Sequence, residues 1–305
     1  MLPYLLIPFL ALSQAQPLLS EFRFSQPAES QLLYAEHLFD SKVYDSSVLE
    51  YKRFLFYFPH TDLTDFARYR IAQSYYYRGD LEYAQELFKE FVEIYDDSPL
   101  YLHTQLMLGK TYFDEGDYAT ARSLFFLITS ANSDQRLSAQ AQYLRGWCYA
   151  HNRNWFKAIA EFRKVDQIQP GALLGTVSTQ LADTTFANTL LPLKSPKLAQ
   201  WFSTFIPGTG QVYAGRVGNG FISTAINATF FYFLADSILD KRYVDAAGIY
   251  LLGSRFYWGN RSNAKQWAIE HNQQLEENLI RQLKKQSAGI EQLESLPKLP
   301  THNLP

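Results

Sequence analysis

Six histidines and one cysteine are the side chains best suited to metal binding or nucleophilic catalysis in this 305-residue chain. His37, His60, His103, His151, His271 and His302 form no HExxH pair, and no second cysteine exists to build a Cys/His cluster. Cys148 lies between Trp147 and Tyr149, the setting of a small buried thiol rather than an activated thiolate. No Gly-x-Ser-x-Gly elbow occurs. Carboxylate pairs such as Glu115/Asp117 and Asp96/Asp97 fall at turns, where they cap helices and face solvent. The glycine-dense run at 207–216 invites comparison with a phosphate loop. It lacks a Gly-Lys-Ser/Thr ending, and Tyr213 holds the place of the last glycine of a GxGxxG fingerprint. It reads instead as a tight turn followed by small residues that let backbones pack closely. These patterns predict no cofactor, no metal and no enzyme.

Composition narrows the remaining classes. With 47% apolar and 19% charged residues the chain is neither disordered nor strongly soluble. The 28 basic and 30 acidic residues are interspersed, so the basic footprint of a nucleic-acid binder is missing and nucleic acid is not an expected partner. The first sixteen residues are an apolar run, with Ser13 and Ala15 placed for signal-peptidase cleavage before Gln16.

What positions the side chains is an internal repeat. A spacing of 37 residues recurs in five rows across residues 30–170. One row is small: Ala35, Ala72, Gly109, Gly146. The next is Leu38, Tyr75, Tyr112, Tyr149. Tyr44, Leu81, Tyr118 and Trp155 lie near turns. Ser47, Ala84, Ala121 and Ala158 form a second small row, and Tyr51, Phe88, Phe125 and Phe162 a large one. Each unit reads as two short amphipathic helices joined by a turn. Gly79-Asp80 and Gly116-Asp117 end the first helix, because glycine accepts the left-handed cap. Repeats one and four carry Lys42 and Arg153 there, as end repeats often depart from consensus. One unit cannot bury its own apolar stripe, so stacking supplies the core and curves the array. The predicted fold is all-α: four repeats in a superhelix, followed by a small helical domain.

These rows, with Pro59 and Pro170 closing repeats one and four, resemble the tetratricopeptide family, although the period is 37 and not that family's 34. The longer unit, as in residues 76–99, is similar to bacterial envelope repeat proteins of the BamD and YbgF/CpoB kind. That resemblance implies a periplasmic protein-binding scaffold. Mapping the family's concave-face positions onto this chain gives Tyr69, Gln73, Tyr76 and Tyr77 from repeat two. Repeat three gives His103, Leu106, Lys110 and Phe113, and repeat four gives Tyr143, Trp147 and His151. Rigid aromatics with a few polar groups suit another protein's segment or an extended peptide.

The rows stop after Pro170. Residues 171–194 read as a linker with one short helix, and Ser195-Pro196 is a helix start signal. An apolar helix through Trp201 and Phe205 follows, ending at Pro207-Gly208. Residues 217–235 then carry no charge, about the length that crosses a bilayer core. A link at Asp240-Lys241-Arg242 leads to a second apolar stretch, 243–260, interrupted by Asp245 and Arg255. Aromatics crowd the segment ends, as interfacial belts do. The residues Pro207, Gly208, Gly210, Gln211, Tyr213 and Gly215 resemble the PGxGQxYxG motif of bacterial modules with two closely spaced membrane helices. Gly259-Asn260, Ala264, Ala268 and Asn272 fit the same resemblance, which covers residues 195–275 and implies a membrane hairpin. A hairpin folded about Lys241 places Asn227 and Arg255 at one depth, where they could pair. Residues 262–286 read as a charged helix, and 276–305 as its end and a proline-containing tail.

The expected function is a non-enzymatic envelope scaffold, its repeats periplasmic and its hairpin in a membrane. A channel, transport or lipid-handling component whose repeats recruit partners is a second reading. A cell-wall glycan binder is a third, since aromatic grooves also stack sugars.

Overall fold

A computed structural model describes residues 26–131, 134–189 and 191–291, so the expected signal sequence and the last part of the tail lie outside the described residues. Among the described residues every regular element is helical. The chain divides into two compact units, one running to Phe186 and including the chain from Gln286, the other spanning Ala187–Lys285.

Unit one is the tetratricopeptide-like superhelix. Its pairs are α1 (Gln26–Asp40) with α2 (Tyr44–Tyr57), α3 (Thr64–Arg78) with α4 (Leu81–Ile94), α5 (Tyr101–Asp114) with α6 (Tyr118–Ser130), and α7 (Gln135–His151) with α8 (Trp155–Ile168). The turn inside each pair holds one left-handed residue, at Lys42 (φ 61°), Gly79 (92°), Gly116 (88°) and Arg153 (59°). Glycine takes this conformation freely, whereas Lys42 and Arg153 each pay roughly 1–2 kcal/mol for it. The residues beyond a 34-residue period go into the link between pairs, such as residues 95–100 between α4 and α5.

The core is the set of repeat rows. Ser47, Ala84, Ala121 and Ala158 are fully buried, as are Tyr51, Phe88, Phe125 and Phe162. A Cβ on Gly109 would lie 2.5 Å from the Phe125 ring, and one on Gly146 2.5 Å from Phe162. In repeats three and four, then, the aromatic ring fills the space that the missing side chain leaves. Repeats one and four also share a polar device. Gln31 donates to Glu50, and Gln142 donates to Glu161 at 2.5 Å. Arg53 and Lys164 complete these pairs at 2.8 and 3.2 Å. Leu87 and Leu124 hold the glutamate position in the two middle repeats.

Residues 171–194 are more than a linker. Helix α9 (Leu173–Asn188) packs on α8, with Gly175 so close that a Cβ would meet Asp166 at 2.7 Å. Arg163 reaches Asp183 at 3.4 Å and lies over the Phe186 ring. A helix laid over the last repeat in this way caps the array. Gln286, also in this unit, donates to Thr184 at 3.1 Å.

Unit two comprises α10 (Pro196–Phe205), α11 (Thr209–Tyr213), α12 (Val217–Leu239) and most of α13 (Tyr243–Glu291). Ser195 caps α10 by accepting from the Leu198 amide at 3.3 Å, with Pro196 in its first turn. A turn with Lys241 at φ 60° reverses the chain between α12 and α13. The two helices pair through Phe230 and Phe256, whose rings stack at 5.3 Å, and through Gly253, where a Cβ would lie 3.2 Å from Phe230. The expected apolar stretch at 243–260 and the charged helix at 262–286 are one helix of 49 residues. The apolar stretch ends at Asn260, but that residue is buried and no proline follows within the helix, so nothing ends the helix there. Among the described residues α12 alone is long and apolar enough to cross a bilayer.

Candidate functional site

The positions assigned to a concave groove fall into two groups. Tyr69, Gln73, His103, Leu106, Tyr143 and Trp147 are buried. Gln73 donates to the Tyr69 hydroxyl at 2.9 Å and accepts from Arg70 at 3.0 Å. Arg70 also donates to Glu36 at 2.8 Å, and Glu36 accepts from Tyr51. Burial raises the Tyr69 phenol above its usual range. It also opposes the Arg70 charge, but Glu36 with Tyr51 and Tyr69 outweigh it and hold the guanidinium protonated. Trp147 packs on Phe162 at 5.8 Å and near Tyr143 at 6.3 Å. These side chains are spent on one another. Helices with small residues along their packing rows are enclosed on most sides, so aromatic type alone did not mark an open groove.

The second group, Tyr76, Tyr77, Lys110, Phe113 and His151, is partly exposed near the C-terminal ends of α3, α5 and α7. Tyr77 stacks on Tyr44 at 5.7 Å and meets the Phe39 edge at 5.9 Å. Two repeats further on, His151 stacks on Tyr118 at 4.8 Å and meets the Phe113 edge at 5.4 Å. Between these two clusters Tyr76 donates to Asp114 at 2.6 Å. The result is a seam of half-exposed rings that crosses the repeat boundaries. Phe39, Tyr44, Asp114 and Tyr118 were missed as members. A doubled period would have found most of them, since Phe39/Phe113, Tyr44/Tyr118 and Tyr77/His151 are each 74 residues apart. A separate cleft of about 180 Å³ lies elsewhere on the array, lined by Lys52, Arg68, Tyr83, Glu90 and Tyr95 among others.

Cys148 is buried, and burial pushes its thiol up to about 12 against the opposing pull of Arg122 and Arg145. Such a thiol is no nucleophile at neutral pH.

In unit two each motif residue makes a joint between helices. Gly208 stands at φ 102° with the Gly220 carbonyl 2.3 Å from where a Cβ would sit. Gly210 brings α11 against α10, a Cβ there falling 1.9 Å from the Ala199 carbonyl. Its amide donates to Ser203 at 3.1 Å. Thr224 donates to the Pro207 carbonyl at 2.7 Å. Gln211, buried, accepts from Ser203 at 3.0 Å and donates to the Asn260 carbonyl at 3.2 Å. The Tyr213 hydroxyl accepts from the Ser195 amide at 3.0 Å, and Gly215 (φ 90°) turns the chain into α12. Asn272 closes the unit with paired bonds to the Lys194 backbone at 2.8 and 2.9 Å. Asn227 and Arg255 line one cavity, but no hydrogen bond joins them: the Asn227 amide donates to the Ser223 carbonyl at 2.8 Å.

The stacked pairs and their seam define a helical-repeat scaffold, a class that presents an extended face to other proteins. Residues 66–98 match one tetratricopeptide-repeat family model and residues 106–172 another, so the array is one of tetratricopeptide repeats. Among solved structures the chain is similar to a tetratricopeptide repeat protein from Parabacteroides merdae. That match has 15% identity and TM-score 0.44, covering 87% of this chain and 100% of that one. It is similar to the apo form of RapI at 18% identity and TM-score 0.43, covering 85% and 90%. Nearly identical TPR-like repeats from Podosopora anserina match at 16% identity and TM-score 0.45, covering 54% and 90%. These likenesses concern fold alone. No curated protein sequence matches this chain.

Proposed function

We propose that this chain is a non-enzymatic cell-envelope scaffold, in which the repeats dock a segment of another protein and the α12/α13 hairpin anchors them to a membrane. One observation carries the anchor. Within the apolar window of α12 only 11% of residues are buried, whereas the core helix of a soluble domain is mostly enclosed. Phe221 is 69% exposed, and Ile222, Phe231 and Phe233 are exposed with it. In α10, Trp201, Phe202 and Phe205 are also exposed, the pattern of a helix lying in the membrane interface. The apolar leader supports export. Repeats outside the cytoplasm would leave Lys241-Arg242 inside, the basic loop that the positive-inside rule favours, although Arg216, Arg261 and Lys265 at the other end dilute that bias.

The aromatic seam supports the docking role, because half-exposed Tyr and His rings offer a rigid amphipathic surface. A lipid-handling role is the second reading, favoured by the polar cavity in unit two. Carbonate washing and vesicle flotation of the full chain, followed by pull-down with Tyr77→Ser beside the parent, test the proposal. Retention on membranes and loss of the captured protein in the variant are expected. Complete release by carbonate would overturn the anchor, and unchanged capture would overturn the seam.

A further inference from the structure

The cavity in unit two is walled by hydrogen-bond donors and carries no negative charge. Its volume of about 390 Å³ lies within the range of about 300–1,000 Å³ typical of ligand sites. Asn219, Ser223 and Asn227 line it from α12, and Arg255, Asn260 and Asn263 from α13; no Asp or Glu is among its walls. Asn260 is only 6% exposed, and its Oδ1 accepts from Ser223. Its Nδ2 donor has no partner. Arg255 makes no ion pair among the described residues. A buried amide donor without an acceptor among the described residues and a guanidinium without a counter-ion, on two residues that line one cavity, together call for an anion.

The shape says more about that anion. From Asn219 to Asn227 the cavity runs along about 12 Å of helix, starting at the α12 end that follows Arg216. Arg261 and Lys265 lie at the corresponding level of α13. Ile222, Ile226 and Phe256 supply apolar wall beside the polar groups. A ligand fitting both would be an amphiphile with a charged head. Arg presents a planar fork that matches phosphate oxygens, and basic pockets between membrane helices hold lipid headgroups.

We propose that this cavity binds the phosphate of an anionic phospholipid, with Arg255 and the Asn260 amide as the donors that contact it. The lipid source of that phosphate rests on the membrane reading above; the anion chemistry does not. Gln211 is a positioning residue, holding Asn260 through its backbone carbonyl.

Calorimetric titration of the full chain in neutral detergent micelles tests this, using short-chain phosphatidylglycerol, its phosphatidylcholine counterpart and inorganic phosphate as separate ligands. Phosphatidylglycerol should bind best. Arg255→Gln and Asn260→Asp should each weaken it about tenfold or more, the loss of one hydrogen bond to a charged group. Asn260→Asp keeps the acceptor for Ser223 while adding a repelling charge, and Arg255→Lys should recover part of the affinity. Lys157→Gln, on a repeat helix and not among the cavity's walls, should change nothing. Circular dichroism checks that each variant keeps its helix content. Equal binding of both lipids, untouched by the two cavity variants, would overturn the site. Inorganic phosphate binding as tightly as the lipid would support the anion site and overturn its lipid source. A chain that needs no detergent and does not float with vesicles would sink the anchor, while the inorganic phosphate arm would still report on the anion site.

Discussion

His103 on α5 is 8% exposed, and burial lowers its pKa from 6.5, opposed in part by the Pro99 carbonyl and Asp134. The unfolded chain therefore binds more protons than the folded one in the window just below pH 6.5. Stability rises with pH through that window and is level above it. We predict that the melting temperature of the repeats is flat above about pH 7 and falls as the pH drops below 6.5, with a slope of at most about 1.4 kcal/mol per pH unit from this group. His103→Gln should remove that part of the slope, and a variant as acid-sensitive as the parent would refute the assignment. The same residue shows where sequence reading stops. A histidine among aromatics suits a binding face, yet here it is enclosed, as Tyr69 and Trp147 are. Residue type records a ring's chemistry and not which side of a helix its neighbours close. Tyr77 and His151 stay reachable because they sit at helix ends beside the turns, a position that the repeat register did give.

Among the elements, the short helices of the array were legible because their spacing is set by packing. Gly109 and Gly146 had to be small, and the turns had to hold a left-handed residue every 37 positions. A short helix after the array was expected, but its packing over the last repeat was not legible, since a capping helix meets the array on one side and need not repeat its rows. The length of α13 was hidden for another reason: its composition changes from apolar to charged after Asn260, although the helix continues and Asn260 is a buried contact of the Gln211 side chain. That joint is where unit two is least tolerant. Gly210→Ala would place a methyl carbon 1.9 Å from the Ala199 carbonyl, a backbone atom with nowhere to go. We expect a loss of roughly 1–3 kcal/mol or more. It should be read as faster proteolysis between residues 195 and 216 in micelles, with the repeat fragment unaffected. Gly218→Ala meets nothing within 4 Å, has ordinary helical backbone and should be neutral or slightly stabilising. Equal protease resistance of the two variants would show that the close approach of α10 and α11 does not hold the module together.

At the scale of the whole molecule the proposed membrane anchor raises the question whether the hairpin would cross a bilayer or lie along it. Helix α12 has 23 residues, about 34 Å at 1.5 Å per residue, against a hydrocarbon core of about 30 Å. The charges sit at its ends. Arg216 precedes it, and at the other end Arg242 is held by Asp236 at 2.5 Å, Asp240 at 3.3 Å and Asp245 at 3.5 Å. A helix lying flat in the interface would instead keep one long polar side, as surface helices do. The exposed apolar residues of α12 include Phe221, Ile222, Phe231, Tyr232 and Phe233, adjacent pairs that point in different directions around the helix axis. Spanning is therefore the better fit, and the protein carries its own control for testing it. Cys148 is buried with its thiol pushed up to about 12, so it should not react with a membrane-impermeant maleimide at neutral pH. Single cysteines placed by Arg216→Cys and Lys241→Cys should then label from opposite faces of sealed vesicles in which the protein has one orientation. Labelling of both from the same face would mean that the hairpin rests in the interface. The scaffold would then be a surface-bound protein whose α10 and α12 share one membrane-facing side.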